Sequence, residues 1–451
     1  MTRFVQPVAG DPASVDFPPV RRDVLPNGLR VWSVVHGAVP VVTLALVLDA
    51  GTAADPPDRP GLSSLVGTLS TEGAGTRDSI AMAEALARIG GRLDVQPGAD
   101  RITLSLTTLA RHAPAALDLL ADVVRRPRFS ADDFARVREL RLSRLRQASR
   151  VASTVADRTL IAAVFGDHPY GHGALGTSRS AEATGLDDVR GFWATTWTPA
   201  GATLIVSGGI DPAAVPALAA AAFGDWTSVP CGARAATVPP AASPQPVVIA
   251  VQRPGAAQAE LRVGHAGPAR NTPDYYALVT LNALLGGQFT SRINQQLRER
   301  LAVTYGARSA FDMRRAGGLF SVDTSIQSDA AHVGVREILR ELRDVSAPGA
   351  ITSAELAHAR AGLTRGYVRH FETASQIARA LVEMVTYDLA DDVFDRFVPS
   401  VSHLSVEDIS LAARDALRPD QASIVVVTDL DVHGAALQAL GLPVVQAAPE
   451  F

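Results

Sequence analysis

The chain carries one cysteine, Cys231, in 451 residues. That scarcity excludes an internal disulfide framework and any cysteine-built zinc cluster, and Cys231 reads as an ordinary free thiol. The N-terminal stretch "MTRFVQPVAGDPASVDFPPVRRDV" has no apolar signal core, and no run elsewhere reaches membrane-spanning length. The expectation is a soluble cytoplasmic protein with no membrane partner. A processed start carrying an added Met would read the same way and keeps the periplasm open. Concentrated positive charge is also missing: the formal net charge is −4 and the basic residues are scattered. Nothing provides a nucleic-acid footprint.

What is present fits a folded globular protein, with 47% hydrophobic and 20% charged residues. The length is too great for one ordinary core, which implies two domains or more. The stretch "TSVPCGARAATVPPAASPQP", residues 227–246, is rich in Pro and Ala and nearly uncharged. Such a segment resists helix and central strand alike and reads as a linker. It separates a first domain, 1–226, from a second, 247–451.

The two parts repeat one order of elements. "LALVLDAG" from Leu44 pairs with "ELRVGHAG" from Glu260, "SADDFARVREL" from Ser130 with "TSAELAHARAG" from Thr352, and "ATLIVSGGID" from Ala202 with "ASIVVVTDLD" from Ala422. The offsets of 216, 222 and 220 are nearly constant, the mark of a long internal repeat. Ile102, Leu104 and Leu106 alternate with Thr103, Ser105 and Thr107, which predicts a strand with one buried face. "RDSIAMAEALARIGG" places Ile80, Ala83, Leu86 and Ile89 on one helical face, with Asp78 or Ser79 as cap and Gly90-Gly91 as stop. "GGLFSVDTSI" reads as a strand and "HVGVREILRELRDV" as a helix. The predicted fold is α+β, with two homologous domains, each an antiparallel-rich sheet with helices on one face.

Several segments together resemble the insulinase-like, or pitrilysin-type, zinc peptidases. They are "LPNGLRVWSV", "PGLSSLVGTLSTEGAGTRDS", "FGDHPYGHGALGT", "WTPAGATLIVSGGID", "LLGGQFTSRINQQLRERLAVTYGA" and "GGLFSVDTSIQSD", and they span nearly the whole chain. The resemblance implies that the two domains form a half-clam, two of which enclose a chamber. Active members carry His-x-x-Glu-His on the helix that opens here as "PGLSSLVGT", with a distant glutamate as third protein ligand of zinc. Carried over, the two histidines fall on Ser64 and Thr68, the general base on Gly67, and the distant ligand near Arg144. Hydroxyls are poor zinc ligands, glycine has no side chain, and a guanidinium repels the metal. The resemblance therefore implies no metal site and no cofactor in this chain.

Other motifs are weaker. His168 and His172 in "DHPYGH" are interrupted by Pro169 and Gly171 and read as a polar turn. Gly286-Gly287 lacks the lysine of a phosphate loop and reads as a hinge or close-packing turn. Ser63 and Ser64 lack the elbow of a hydrolase nucleophile.

The second half keeps what the first has lost. Active members carry an arginine and a tyrosine seven residues apart after a glycine-containing helix, facing the zinc across the chamber. "LRERLAVTY" places Arg298 and Tyr305 at those positions. The implied protein is the zinc-less subunit of a heterodimeric metalloendopeptidase, inactive alone. Its partners would be a zinc-bearing homologous subunit and a peptide substrate. A non-catalytic scaffold like the core proteins of respiratory complexes, or a homodimeric peptide-binding chamber, is the alternative. The Arg/Tyr spacing favours the peptidase subunit, because a scaffold has no need of it.

Overall fold

The computed structural model describes residues 10–37, 39–227, 245–448 and 451. Cys231 and nearly all of the 227–246 linker lie outside the described residues. The first half forms a six-stranded sheet from β1 (Arg21–Val24), β2 (Arg30–Val35), β3 (Val41–Leu48), β4 (Arg92–Pro97), β5 (Ile102–Leu109) and β6 (Ala202–Gly208), in the order β1-β2-β6-β3-β5-β4. The second half forms another from β7 (Val247–Gln252), β8 (Gln258–Gly267), β9 (Thr304–Arg314), β10 (Gly317–Gln327), β11 (Ser423–Thr428) and β12 (Val444–Gln446), in the order β12-β7-β11-β8-β10-β9. Matched position by position, β2, β6, β3, β5 and β4 correspond to β7, β11, β8, β10 and β9. In both sheets most pairs are antiparallel, with β2–β6 and β7–β11 as matching parallel pairs. The fold is α+β with two like domains. The three repeated segments fall on β3 and β8, on helices Ala131–Ala148 and Ser353–Thr364, and on β6 and β11.

Each sheet packs one face on its own helices. Leu44, Leu46, Leu48, Ile102, Leu104 and Leu106 meet the helices of the first half in one core. Leu261, Val263, Ile424 and Val426 do the same in the second. The opposite faces are covered by exchange. Helix Ala152–Phe165, from the first half of the chain, lays Val155, Leu160 and Val164 on Ile249, Val251, Val425 and Val427 of the second sheet. Helix Ala374–Tyr387 returns the favour, laying Ile377, Leu381 and Met384 on Val34, Ala45, Val47 and Ile205 of the first. Packing on both faces explains why β3, β6 and β11 are buried at nearly every position, while β5 alternates buried and half-exposed. Each fully buried Leu contributes roughly 1.5–3 kcal/mol, so the two exchanged helices bind the halves together strongly.

Polar links run along the same seam. Asp100 accepts from the Tyr170 hydroxyl at 2.5 Å and from the Arg315 backbone N–H at 3.0 Å. Arg262 donates to Asp157 at 2.6 Å.

Helix Ser79–Arg88 forms with Asp78 as its cap, the carboxylate accepting from Ala81 N–H at 2.9 Å, and Gly90 takes the left-handed conformation that ends it. Its buried stripe differs from the expected one. Met82, Ala85 and Ile89 face the core with Leu86 partly buried, while Ile80 is 70% exposed. The helix is rotated so that Met82, the longest and most adaptable apolar side chain available, fills the core.

Candidate functional site

The region around helix Leu62–Ser70 is built from a loop carboxylate and a buried guanidinium. The Asp55 side chain accepts from the backbone N–H groups of Gly61 (2.7 Å) and Ser63 (2.6 Å), satisfying two amides at the helix start. Burial pushes its pKa up to about 7, against the opposing pull of those two hydrogen bonds and of Arg141. Arg141, on helix Ala131–Ala148, is only 6% exposed. Its Nη2 donates to Ser64 Oγ at 2.9 Å, and its Nη1 donates to the carbonyl oxygens of Gly61 (2.9 Å) and Leu175 (3.2 Å). Burial depresses its pKa to about 10, which still leaves it charged at neutral pH.

These neighbours determine whether a metal fits. Ser64 Oγ is committed to Arg141, and Thr68 Oγ1 donates to the carbonyl of Ser64 at 2.9 Å. A Cβ on Gly67 would lie 2.4 Å from Ile102 Cδ1 and 2.9 Å from Val95 Cγ1, so core side chains fill the space a glutamate would need. Arg144 is exposed one turn beyond Arg141. Arg141, not named by the sequence reading, is the cation that reaches Ser64. The only hint of it was the three-residue rhythm of Arg138, Arg141 and Arg144. His172 lies 3.9 Å from Asp55 in a turn, and burial lowers its pKa. Among the described residues no group of three or more His, Cys, Asp or Glu side chains could hold a metal. A serine hydroxyl held by a guanidinium and a threonine hydroxyl turned to its own helix are poor zinc ligands.

The second half presents a different surface. Asn282 runs into a π-helical segment at 283–287, and a second, Gln295–Arg300, precedes β9. Such segments are rare and concentrate at functional sites. Gly286 packs so closely on β9 that a Cβ there would lie 2.7 Å from Ser309 N. Asn294 closes the same edge, accepting from Ala307 N–H and donating to its carbonyl, both at 2.8 Å. The edge of β9 is thereby shielded from pairing with another strand along these residues.

Arg298 and Tyr305 stand on either side of this closure. The Arg298 guanidinium lies 3.7 Å over the Phe289 ring and 3.2 Å from the Glu299 carboxylate. The second contact is an ion pair without hydrogen-bond geometry, so the buried Nη1 keeps no hydrogen-bond partner. Tyr305 is 91% exposed, and Phe289 is 66% exposed. Both line a cleft of about 560 Å3 with Asn294, Arg308 and Asp323. Phe289 therefore connects the two predicted residues: it carries Arg298 on its face and shares the cleft with Tyr305. Its role was not legible in sequence, because a lone Phe after Gly-Gly-Gln carries no periodic signal. Between the pair, Ala302 takes φ 54°, a left-handed conformation unusual for a residue with a Cβ.

Comparisons with known proteins bear on the family and the fold. Residues 30–178 match the insulinase (peptidase family M16) domain, and residues 185–363 match the peptidase M16 inactive domain. A protein named as an uncharacterized zinc protease of Mycobacterium tuberculosis is 26% identical over 90% of this chain and 92% of its own. A probable mitochondrial-processing peptidase subunit beta of Arabidopsis thaliana is 22% identical over 82% of this chain and 71% of its own. A solved peptidase M16 inactive domain of Pseudomonas fluorescens superposes with a TM-score of 0.85 at 24% identity, covering 96% of this chain and all of that one. A protease of Helicobacter pylori gives a TM-score of 0.84 at 18% identity, over 91% of this chain. The chain belongs to the insulinase family of peptidases, M16.

Proposed function

We propose that this chain is the zinc-less subunit of a heterodimeric metalloendopeptidase, presenting Arg298 and Tyr305 to the site of a zinc-bearing homologous partner. The observation that carries the reading is the exposure of Tyr305: a phenol that is 91% exposed does no packing, yet it sits on a braced strand at the rim of a cleft. The names of the similar proteins, zinc proteases and a processing-peptidase subunit, support the same class of reaction. Among the described residues no cluster of His, Cys, Asp or Glu could hold zinc, which supports assigning zinc-dependent water activation to the partner. Two half-clams would enclose a chamber, with an extended peptide lying between them.

Within that chamber Tyr305 donates its hydroxyl hydrogen to the carbonyl oxygen as negative charge builds there. The Arg298 guanidinium, oriented by Phe289 and partly exposed, holds a substrate carbonyl or carboxylate through donors other than the buried Nη1. Cation–π stacking leaves the edge donors of the guanidinium free for this purpose.

The test is reconstitution with the zinc-bearing homologue, followed by steady-state kinetics. Neither chain alone should hydrolyse peptides, and elemental analysis should find no stoichiometric zinc in this one. In the complex, Arg298→Ala and Tyr305→Phe should each leave assembly and zinc intact while cutting hydrolysis by about a hundredfold. Arg300→Ala, whose guanidinium reaches only Gln296 at 3.4 Å, should change little. Near-normal hydrolysis by the Arg298→Ala, Tyr305→Phe double variant would leave the chain as a scaffold only.

A further inference from the structure

A second cavity lies far from this chemistry in character. It encloses about 240 Å3 and is walled by Tyr275, Tyr367, Phe371, Phe394 and Phe397. The rings are locked by one another: Tyr367 stacks on Phe397 at 4.0 Å, and Phe371 lies 5.2 Å from Phe394. The cavity lies within the second half, where its core meets the stretch that covers the first sheet. Tyr275 packs on the core of the second half, while Phe371, Phe394 and Ala380 belong to the cluster that covers the second face of the first sheet.

Its polar groups are unbalanced. Glu383 is already engaged by Arg270, which donates from Nε at 2.9 Å and from Nη2 at 2.7 Å while lying 3.5 Å over the Tyr275 ring. Gln376 donates to the Arg369 carbonyl and accepts from Thr373 N–H. The hydroxyls of Tyr275 and Tyr367 make no hydrogen bond among the described residues, yet neither is sealed away from the cavity. Burial raises both of their pKa values, so both remain protonated donors. Arg379, at the rim, has no ion-pair partner among the described residues and also lines the adjoining cavity between the halves. Three donors thus face a space with aromatic walls, beside His370 and the oxygen that Arg270 leaves free on Glu383.

Water is a poor occupant of such a space. It has room for several molecules, and those beside the rings would find no hydrogen-bond partner there. The volume also falls just below the roughly 300–1,000 Å3 typical of sites for drug-sized ligands, which points to a smaller guest. We propose that this cavity binds a single-ring aromatic carboxylate, its ring between Tyr275, Phe371 and Phe394 and its oxygens toward Arg379 and the two tyrosine hydroxyls. This assignment is independent of the role given to Arg298 and Tyr305. All of its walls come from the second half, so an occupant would tie the stretch that covers the first sheet to the core of its own domain. The chemistry has two sources: a free aromatic acid, or the C-terminal Phe or Tyr of a peptide.

Isothermal titration calorimetry on the full chain tests it, with phenylacetate as the probe. Acetate lacks the ring and phenylacetamide lacks the charge; each should bind at least about tenfold more weakly. Arg379→Gln should weaken phenylacetate by about tenfold and Tyr367→Phe by about fivefold, since hydrogen bonds to a charged group are lost. Ala380→Phe should abolish binding by filling the space; if that variant fails to fold, the other two carry the test. A tetrapeptide ending in Phe that outcompetes phenylacetate would identify a peptide terminus as the source, and the reverse order a free acid. No heat of binding at about 10 mM phenylacetate, or binding unchanged in both Arg379→Gln and Tyr367→Phe, overturns the proposal.

Discussion

In the first half, helix Leu62–Ser70 is sealed: Arg141 grips Ser64, Ile102 and Val95 crowd Gly67, and Asp55 ties down the helix start. In the second half, the segment leading into β9 is open: two π-helical turns, an exposed Phe289 and an exposed Tyr305 border a large cleft. Strand order is nearly the same in both. The contrast shows that the sheet frame is indifferent to chemistry. In the first half these positions are filled with internal hydrogen bonds and apolar packing, because buried groups without partners cost too much to keep.

The largest expected effect breaks the sealed half. Arg141→Ala should destabilise the chain by about 3 kcal/mol, because it strands Ser64, two carbonyl oxygens and the nearby Asp55 carboxylate without their cation. Arg144→Ala, an exposed position three residues on, should fall within about 0.5 kcal/mol of the parent. Urea unfolding of the two variants decides the matter. Equal losses would mean that Arg141 is no more structural than Arg144, and that the first half is not sealed by it.

The halves should also answer acid with opposite signs. Asp55 holds its proton in the fold up to about pH 7, against an ordinary value of 3.8. The folded state therefore binds more protons than the unfolded state between those values, and stability falls as pH rises from about 4 to 7. His265 in the second half behaves in reverse. Its ring stacks on Phe320, its Nε2 accepts from Arg418 N–H at 3.1 Å, and burial depresses its pKa to about 4 from 6.5. The unfolded chain takes up that proton first, so stability is lost as pH falls from about 6.5 toward 4. Asp55→Asn should remove the decline on the rising side, and His265→Gln should remove the loss on the acid side. Each effect amounts to a few kcal/mol, read from urea unfolding at a series of pH values. A parent profile that neither variant changes would mean that these two groups do not distinguish the halves.

Much of this architecture is legible in sequence, for identifiable reasons. Repeat offsets and the alternation in β5 depend on local pattern, and local pattern survives into the fold. The exchange of helices Ala152–Phe165 and Ala374–Tyr387 does not, since an apolar helical face says nothing of which sheet it will cover. Its trace was the two-sided apolarity of β3 and β11, which an isolated strand reading does not interpret. The same divide holds at the sites. Arg298 and Tyr305 stand out by spacing and resemblance, whereas Arg141 and Phe289 act through tertiary contacts with residues tens of positions away or with a side chain whose role spacing cannot encode. Rotation of the Ser79–Arg88 helix by a fraction of a turn is a packing choice of the same kind.

The smallest expected effect sharpens the open half. Ala302 sits between Arg298 and Tyr305 at φ 54°, where Leu301 N–H bonds to the Gln296 carbonyl and Val303 N–H to the Leu297 carbonyl, both at 3.1 Å. This left-handed residue ends the helix and turns the chain into β9, a task ordinarily given to glycine. A Cβ there costs about 1–2 kcal/mol. Ala302→Gly should recover part of it, a gain of about 0.5–1 kcal/mol once the added freedom of the unfolded chain is counted. At the sealed helix the left-handed position is a glycine, Gly61 at φ 91°, so no Cβ is strained there; the first half places its own left-handed residue with a Cβ, Phe129 at φ 43°, elsewhere. If the strained turn fixes the spacing of guanidinium and phenol, the stabilised variant should lose severalfold in turnover on the reconstituted complex, with apparent substrate affinity nearly unchanged. A variant that is more stable and equally active would show that the turn serves only to end a helix, and that Phe289 and Asn294 alone position the pair.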